Sequence, residues 1–97
     1  MRIYRAVPEN YAVFHQFFNE RLLPVYRKHG ARLVGRWETN DDRVIVIWEY
    51  DDHAAYDHVQ EAVQDDPDFI AAHEYRKSLP QLYISYEDVL MTSTMPI

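Results

Sequence analysis

Five histidines and no cysteine set the polar chemistry open to this 97-residue chain. Without thiols, disulfides and thiolate nucleophiles are excluded. The histidines form no His-Glu-x-x-His motif and no Cys/His cluster, so no metal is expected. His29 falls in the last turn of a helix, where the dipole favours a cation. His53 and His58 lie off the apolar stripe of their helix and read as solvent-exposed. His15 differs, because it falls on the apolar side of the first helix among Tyr11, Phe18, Leu22 and Tyr26. A histidine so placed is a candidate catalytic acid or base. The plainer alternative is a stripe-edge histidine bonded to a carbonyl or a tyrosine hydroxyl.

The second constellation is aromatic. Trp37 and Trp48 are expected on one sheet face, with Gly35 between them. A missing side chain among large ones can leave a cavity, and a cavity with aromatic walls and a few polar groups suits a small ligand. Tyr4 and Tyr50 would add hydroxyls and Phe18 an apolar wall, while His73 and Arg76 would approach the mouth from a later, more mobile helix. The competing reading is that Phe14 or Phe18 fills the gap and closes the core. Asp65, Asp66 and Asp68 form an acidic knot, but Asp66-Pro67 is a helix-start signal and the rest reads as a solvated first turn. No Ser-His-Asp order is present, and two glycines cannot build a phosphate-binding loop. No cofactor is expected.

The elements that must hold these residues follow from hydrophobic spacing. Arg43 to Tyr50 reads as a strand with Val44, Val46, Trp48 and Tyr50 on one face and Ile45 and Ile47 on the other. Arg2 to Val7 is an earlier strand stopped by Pro8. Glu9 to His29 is a helix with the stripe Tyr11, Phe14, Phe18, Leu22 and Val25, and Gly30 stands just past its end. Pro24 removes a hydrogen bond to the Glu20 carbonyl and predicts a kink. Ala31 to Thr39 is a second strand, joined by a turn at Asn40-Asp41 to the third. A two-residue turn places Glu38 opposite Arg43 and Arg32 opposite Glu49. That register puts Val34, Arg36, Ile45 and Ile47 on the face away from the helices, an apolar centre in a charged rim, which is the anatomy of a protein interface.

Asp51 or Asp52 caps a helix with the stripe Ala55, Tyr56, Val59, Ala62 and Val63. Asp68 to Leu79 forms another, with Phe69, Ala72, His73 and Arg76 on one face. Gln81 to Leu90 is the last strand. The order β-α-β-β-α-β, with one extra helix, is the ferredoxin-like pattern: an α+β fold with a four-stranded antiparallel sheet and its helices on one face. The domain is expected to span residues 1–91 with a tail at 92–97. A chain this short buries only about 60–65% of its surface, and two copies packed sheet to sheet would cover the open face.

Formal charge is −6. Residues 1–36 carry +5 and residues 37–97 carry −11, so nucleic-acid binding is not expected. No apolar run approaches the roughly 18 residues of a membrane helix, and Met1-Arg2-Ile3-Tyr4-Arg5 lacks a signal-peptide core. No membrane partner and a cytoplasmic location are expected.

Arg2-Ile3-Tyr4, Leu22-Leu23-Pro24, His29-Gly30, Gly35, Trp37, Trp48-Glu49-Tyr50-Asp51 and the Asp-Asp-Pro-Asp stretch before Phe69 occur in an order and spacing that resemble the NIPSNAP family of the dimeric α/β-barrel superfamily. The chain departs from the family where Pro8-Glu9 replaces a frequent Pro-Gly and where Val46 occupies an often polar position. The resemblance implies a homodimeric ferredoxin-like fold. It also admits the superfamily's activities, among them cofactor-free monooxygenases and isomerases of aromatic and polyketide-like substrates, in which His15 would be the base. The residues themselves suggest a homodimer that binds a small aromatic or apolar molecule between sheet and helices. A non-catalytic interaction module remains the alternative.

Overall fold

The computed structural model describes residues 1–94; of the tail expected at 92–97, residues 95–97 lie outside the described residues. Strand β1 (Arg2–Ala6) leads through a short 3-10 turn (Pro8–Asn10) into helix α1 (Tyr11–Phe17). A π-helical segment (Phe18–Leu22) and helix α2 (Leu23–Lys28) continue it. Strands β2 (Arg32–Glu38) and β3 (Arg43–Glu49) form a hairpin. Helices α3 (His53–Gln64) and α4 (Pro67–Arg76) precede strand β4 (Tyr83–Asp88). The four strands pair antiparallel in the order β2-β3-β1-β4, the ferredoxin-like arrangement. Among the described residues no helix is long and apolar enough to cross a membrane.

The local signals act as the residue types dictate. Pro24 is absorbed by the π-helical turn before it. A proline ring clashes with the carbonyl four residues back; here the chain widens, and the Leu23 amide reaches the Phe18 carbonyl five residues back. At the end of α2, Gly30 adopts φ 104°. Its amide bonds to the Arg27 carbonyl at 3.1 Å and the Ala31 amide bonds to the Tyr26 carbonyl at 3.0 Å, which closes a Schellman motif. The Asp52 carboxylate accepts from the Ala55 amide at 2.7 Å and caps α3. Asp66 accepts from the Asp68 amide at 2.8 Å and caps α4, with Pro67 at the first helical position.

The hairpin differs from its expected register in one half. Arg32 does face Glu49, and the two bond at 2.9 Å. Glu38, however, faces Val44 and not Arg43. The connection has three residues, with Asp42 in the left-handed region at φ 64°, the geometry of a turn followed by one left-handed residue. Arg43 bonds instead to Asp41 within the loop, at 3.0 Å. A β-bulge between Leu33 and Gly35 inserts Val34 and takes up the extra residue.

That bulge turns over the second half of β2. Trp37 pairs with Ile45 on the face away from the helices and is 48% exposed. Trp37 therefore does not share a face with Trp48. Arg36, expected at a dimer interface with Val34, Ile45 and Ile47, moves the opposite way. Its guanidinium lies 5.1 Å from the Phe18 ring and donates to Asn19 at 2.7 Å. The open face consists of Ile3, Val34, Trp37, Ile45 and Ile47, bordered by Arg5, Arg32, Arg43, Glu49 and Glu87.

The helix face of the sheet is built on Val44 and Val46, both fully buried, each contributing about 1.5–3 kcal/mol from burial. Two buried clusters pack above it. One gathers Tyr4, Phe14, Phe17, Phe18 and Ala72 around these valines. The other joins Val25, Tyr26, Val59, Val63 and Phe69.

Candidate functional site

The two clusters do not close on each other. A cavity of about 230 Å³ lies between them, over the β1–β4 side of the sheet. Tyr4, Phe14 and Phe17 reach it from the first cluster, Tyr26 and Phe69 from the second. Leu22 comes from the π-helical turn, Gln64 from the end of α3, and His73 and Arg76 from α4. Arg2, Tyr83 and Tyr86 come from the two strands. An apolar cavity of about 150 Å³ holds one benzene, so this one has room for a single ring with a short substituent.

Its walls are ordered by ring contacts. The Tyr4 ring stands edge-on to Phe14 and tilted against Tyr83, both at 5.0 Å between centroids. Tyr83 and Tyr86 are perpendicular at 6.0 Å. Phe69 meets the His73 imidazole edge-on at 4.4 Å. Burial raises the Tyr4 and Tyr26 phenols above the ordinary tyrosine value, although the neighbouring Arg2 guanidinium acts the other way. Burial first, and then repulsion from Arg76 and Lys77, lowers His73 below the ordinary histidine value.

Two guanidinium groups touch the cavity, in unlike states. Arg2 is neutralised side-on by Asp88, with Nε donating to Oδ1 at 2.7 Å and Nη2 to Oδ2 at 3.0 Å. Arg76 donates from Nη1 to the Tyr83 hydroxyl at 2.9 Å, and its Nε is buried without an acceptor.

The fold brings together some of the expected ligand-binding residues and separates others. Tyr4, His73 and Arg76 meet at the cavity. Phe18 does not line it: it is 2% exposed and packs 5.9 Å from Trp48, filling the core. Trp48 stacks on Tyr26 at 5.0 Å. With Tyr50 it borders a separate recess of about 20 Å³, the size for one water. Tyr50 accepts there from Gln60 at 3.4 Å. Trp37 lies on the opposite side of the sheet. Gly35 leaves no gap, because the Trp37 ring covers it.

His15 stands apart from the cavity. Its Nε2 lies 2.7 Å from Glu38 Oε1, while its Nδ1 and the nearby Tyr11 hydroxyl are buried without partners. The bulge in β2 explains the pairing, since it swings Glu38 onto the helix face where α1 presents His15. His29 likewise finds a carboxylate. Its Nε2 is 2.6 Å from Asp66 Oδ2, and Lys28 Nζ reaches the same oxygen at 2.6 Å. Asp66, the helix-start residue, is 6% exposed, while Asp65 and Asp68 beside it are exposed. Together Lys28, His29 and Asp66 tie the end of α2 to the start of α4. Among the described residues no group of three or more His, Cys, Asp or Glu could hold a metal ion.

Comparison with known proteins agrees with this architecture. An uncharacterized NIPSNAP domain protein from Burkholderia xenovorans superposes with a TM-score of 0.80 at 22% identity, covering 99% of this chain and 95% of that one. A second Burkholderia xenovorans structure, an uncharacterized NIPSNAP-like domain protein, gives 0.77 at 23% identity over 99% and 85%. A NIPSNAP family protein from Agrobacterium tumefaciens gives 0.77 at 19% identity over 98% and 84%. Likeness at these identities reports the fold. No curated protein matches the sequence. The NIPSNAP family model matches residues 1–95, nearly the full length of the sequence, and the chain belongs to the NIPSNAP family.

Proposed function

We propose that this chain acts as a cytoplasmic homodimer that binds one small aromatic or apolar molecule per subunit in the cavity between sheet and helices. The observation that carries this reading is the unfilled space of about 230 Å³ between two otherwise well-packed clusters. Protein interiors are packed to crystal-like density, so a recess of this size that opens to solvent at its Gln64 rim is space a guest can occupy by displacing water from aromatic walls. The walls suit an aromatic guest, since rings already meet there edge-on and tilted, and phenols and a guanidinium give such a guest a polar end. Binding, more than catalysis, is what the geometry supports: His15, the candidate base, is held by Glu38 outside this space. The dimer is supported by the apolar open face of the sheet, on which Val34 is 57% exposed.

The test is a titration with 2-naphthol followed by amide NMR shifts. Shifts confined to the cavity-lining positions of α1, the π-helical turn, α2, the end of α3, α4, β1 and β4 are expected. Gln64→Trp, which places a ring at the exposed rim of the cavity, should abolish them at an unchanged melting temperature. Absence of any saturable shift in the unmodified protein would overturn the reading.

A further inference from the structure

The ligand's charge can be read from Arg76. Resting on the cavity reading above, we propose that the occupant is a small aromatic carboxylate whose carboxylate docks on Arg76. A buried or half-buried charge is ordinarily paired. Arg2 obeys this rule through Asp88. Arg76 has no carboxylate partner among the described residues. Its guanidinium lies 5.3 Å from the Tyr83 ring and uses Nη1 on that hydroxyl, leaving Nε and the remaining terminal hydrogens without a charged acceptor.

The placement runs against the charge of the surrounding sequence. Residues 37–97 hold three Arg/Lys against fourteen Asp/Glu. In such an acidic stretch a carboxylate beside Arg76 would be the unremarkable outcome, yet the cavity wall presents the guanidinium unpaired. His73, on the same helix face, adds an imidazole to the same wall and no negative charge. The planar guanidinium fork matches a carboxylate with two parallel hydrogen bonds. One unpaired guanidinium balances one negative charge, which favours a carboxylate over a phosphate dianion. The aromatic walls and the volume then accept a single ring on a short tether.

Phenylacetate and its neutral isostere phenylacetamide separate the possibilities. Phenylacetate should bind at least about tenfold more tightly, as a charge-assisted pair does over a neutral one. Arg76→Gln should abolish the preference, bringing phenylacetate down to within about twofold of phenylacetamide measured on the same variant. In the unmodified protein the Arg76 Nε–H resonance should move on adding phenylacetate and stay in place with phenylacetamide; this readout needs no variant to fold. Equal binding of both probes, with cavity amides shifting but Arg76 Nε–H still, would overturn the anion assignment and leave the cavity reading standing. If neither probe shifts the cavity amides, both readings fall.

Discussion

The indole of Trp37 lies across Gly35, two residues earlier on the same strand. A Cβ added at position 35 would stand 2.6 Å from Trp37 Cη2 and 2.8 Å from Cζ2. The glycine is therefore there for close approach, not for an unusual backbone angle. In Gly35→Ala the half-exposed ring must swing aside and loses its contact with the strand, at a cost of at most about 1 kcal/mol. The expected result is a lowered urea midpoint together with a displaced Trp37 indole N–H resonance. In a Trp37→Ala background the same Gly35→Ala change should cost nothing, or stabilise slightly because alanine suits a strand better than glycine. A coupling of about 1 kcal/mol between the two positions would verify the contact; additive effects would refute it.

That contact also shows where sequence reasoning ran out. Strands, helices, caps and the order of elements were legible because each has a local cause: Gly30 past a helix end, Asp66-Pro67 before one, apolar residues at spacings of three and four. The pairing of Arg32 with Glu49 was legible as charge complementarity. The two compensating irregularities between them were not. Asp42 in the left-handed region carries no glycine to announce it, and Val34 at the bulge is an ordinary strand residue. One extra residue reverses every facing that follows it, so Arg36, Trp37 and Glu38 were assigned to the wrong sides while Val34, Ile45 and Ile47 were not. Of the cavity residues, His73 and Arg76 are legible from the spacing that puts them on one face of α4 with Phe69, and Tyr4 from its hydroxyl in β1. Tyr83 and Arg2 are not, because the β1–β4 register depends on a long-range match of Arg2 with Asp88 that no local signal marks, and Tyr26 of α2 reaches the cavity only through its packing beside Phe69 of α4.

Asp66 should make stability sensitive to acid. Hydrogen bonds from Lys28, His29 and the Asp68 amide hold its carboxyl far below its ordinary value of 3.8. A folded-state value depressed below the unfolded one contributes stability that is complete above the unfolded value and is lost as pH falls towards the folded one. Melting temperature should thus fall from about pH 5 downwards. Asp66→Asn should melt lower than the unmodified protein at neutral pH, and the gap should narrow as the solution is acidified. A gap that stays constant with pH would show that the ionised carboxylate contributes nothing.

The buried phenols make the opposite prediction at alkaline pH. Burial raises Tyr4 and Tyr26 above the ordinary value of 10.0 and pushes Tyr50 up to about 12. A raised folded-state value leaves stability intact below pH 10, where the phenol is protonated in both states. The unfolded chain then ionises first, and stability falls by up to about 1.4 kcal/mol per pH unit for each such phenol. Tyr50→Phe should lessen this loss between pH 10 and 12, as read from urea midpoints at successive pH values. An identical alkaline slope in variant and parent would show that Tyr50 titrates as an exposed tyrosine.

Ile45 and Ile47 are where the dimer reading meets its test. Both point to the open face beside Ile3, Val34 and Trp37, with Arg32, Arg43 and Glu49 around them. A two-fold axis through such a patch buries each isoleucine against its twin surface. A charge at either centre would then be buried without a partner, which costs about 3 kcal/mol or more and weakens association roughly a hundredfold. Sedimentation equilibrium at micromolar concentration should give twice the chain mass for the parent and for Glu61→Lys, which changes an exposed position on α3. Ile47→Glu should give the mass of one chain. A parent that sediments as one chain would leave the open face without its second copy, and Ile47→Glu would then raise solubility without altering mass, since the same charge on a solvated surface has nothing to separate.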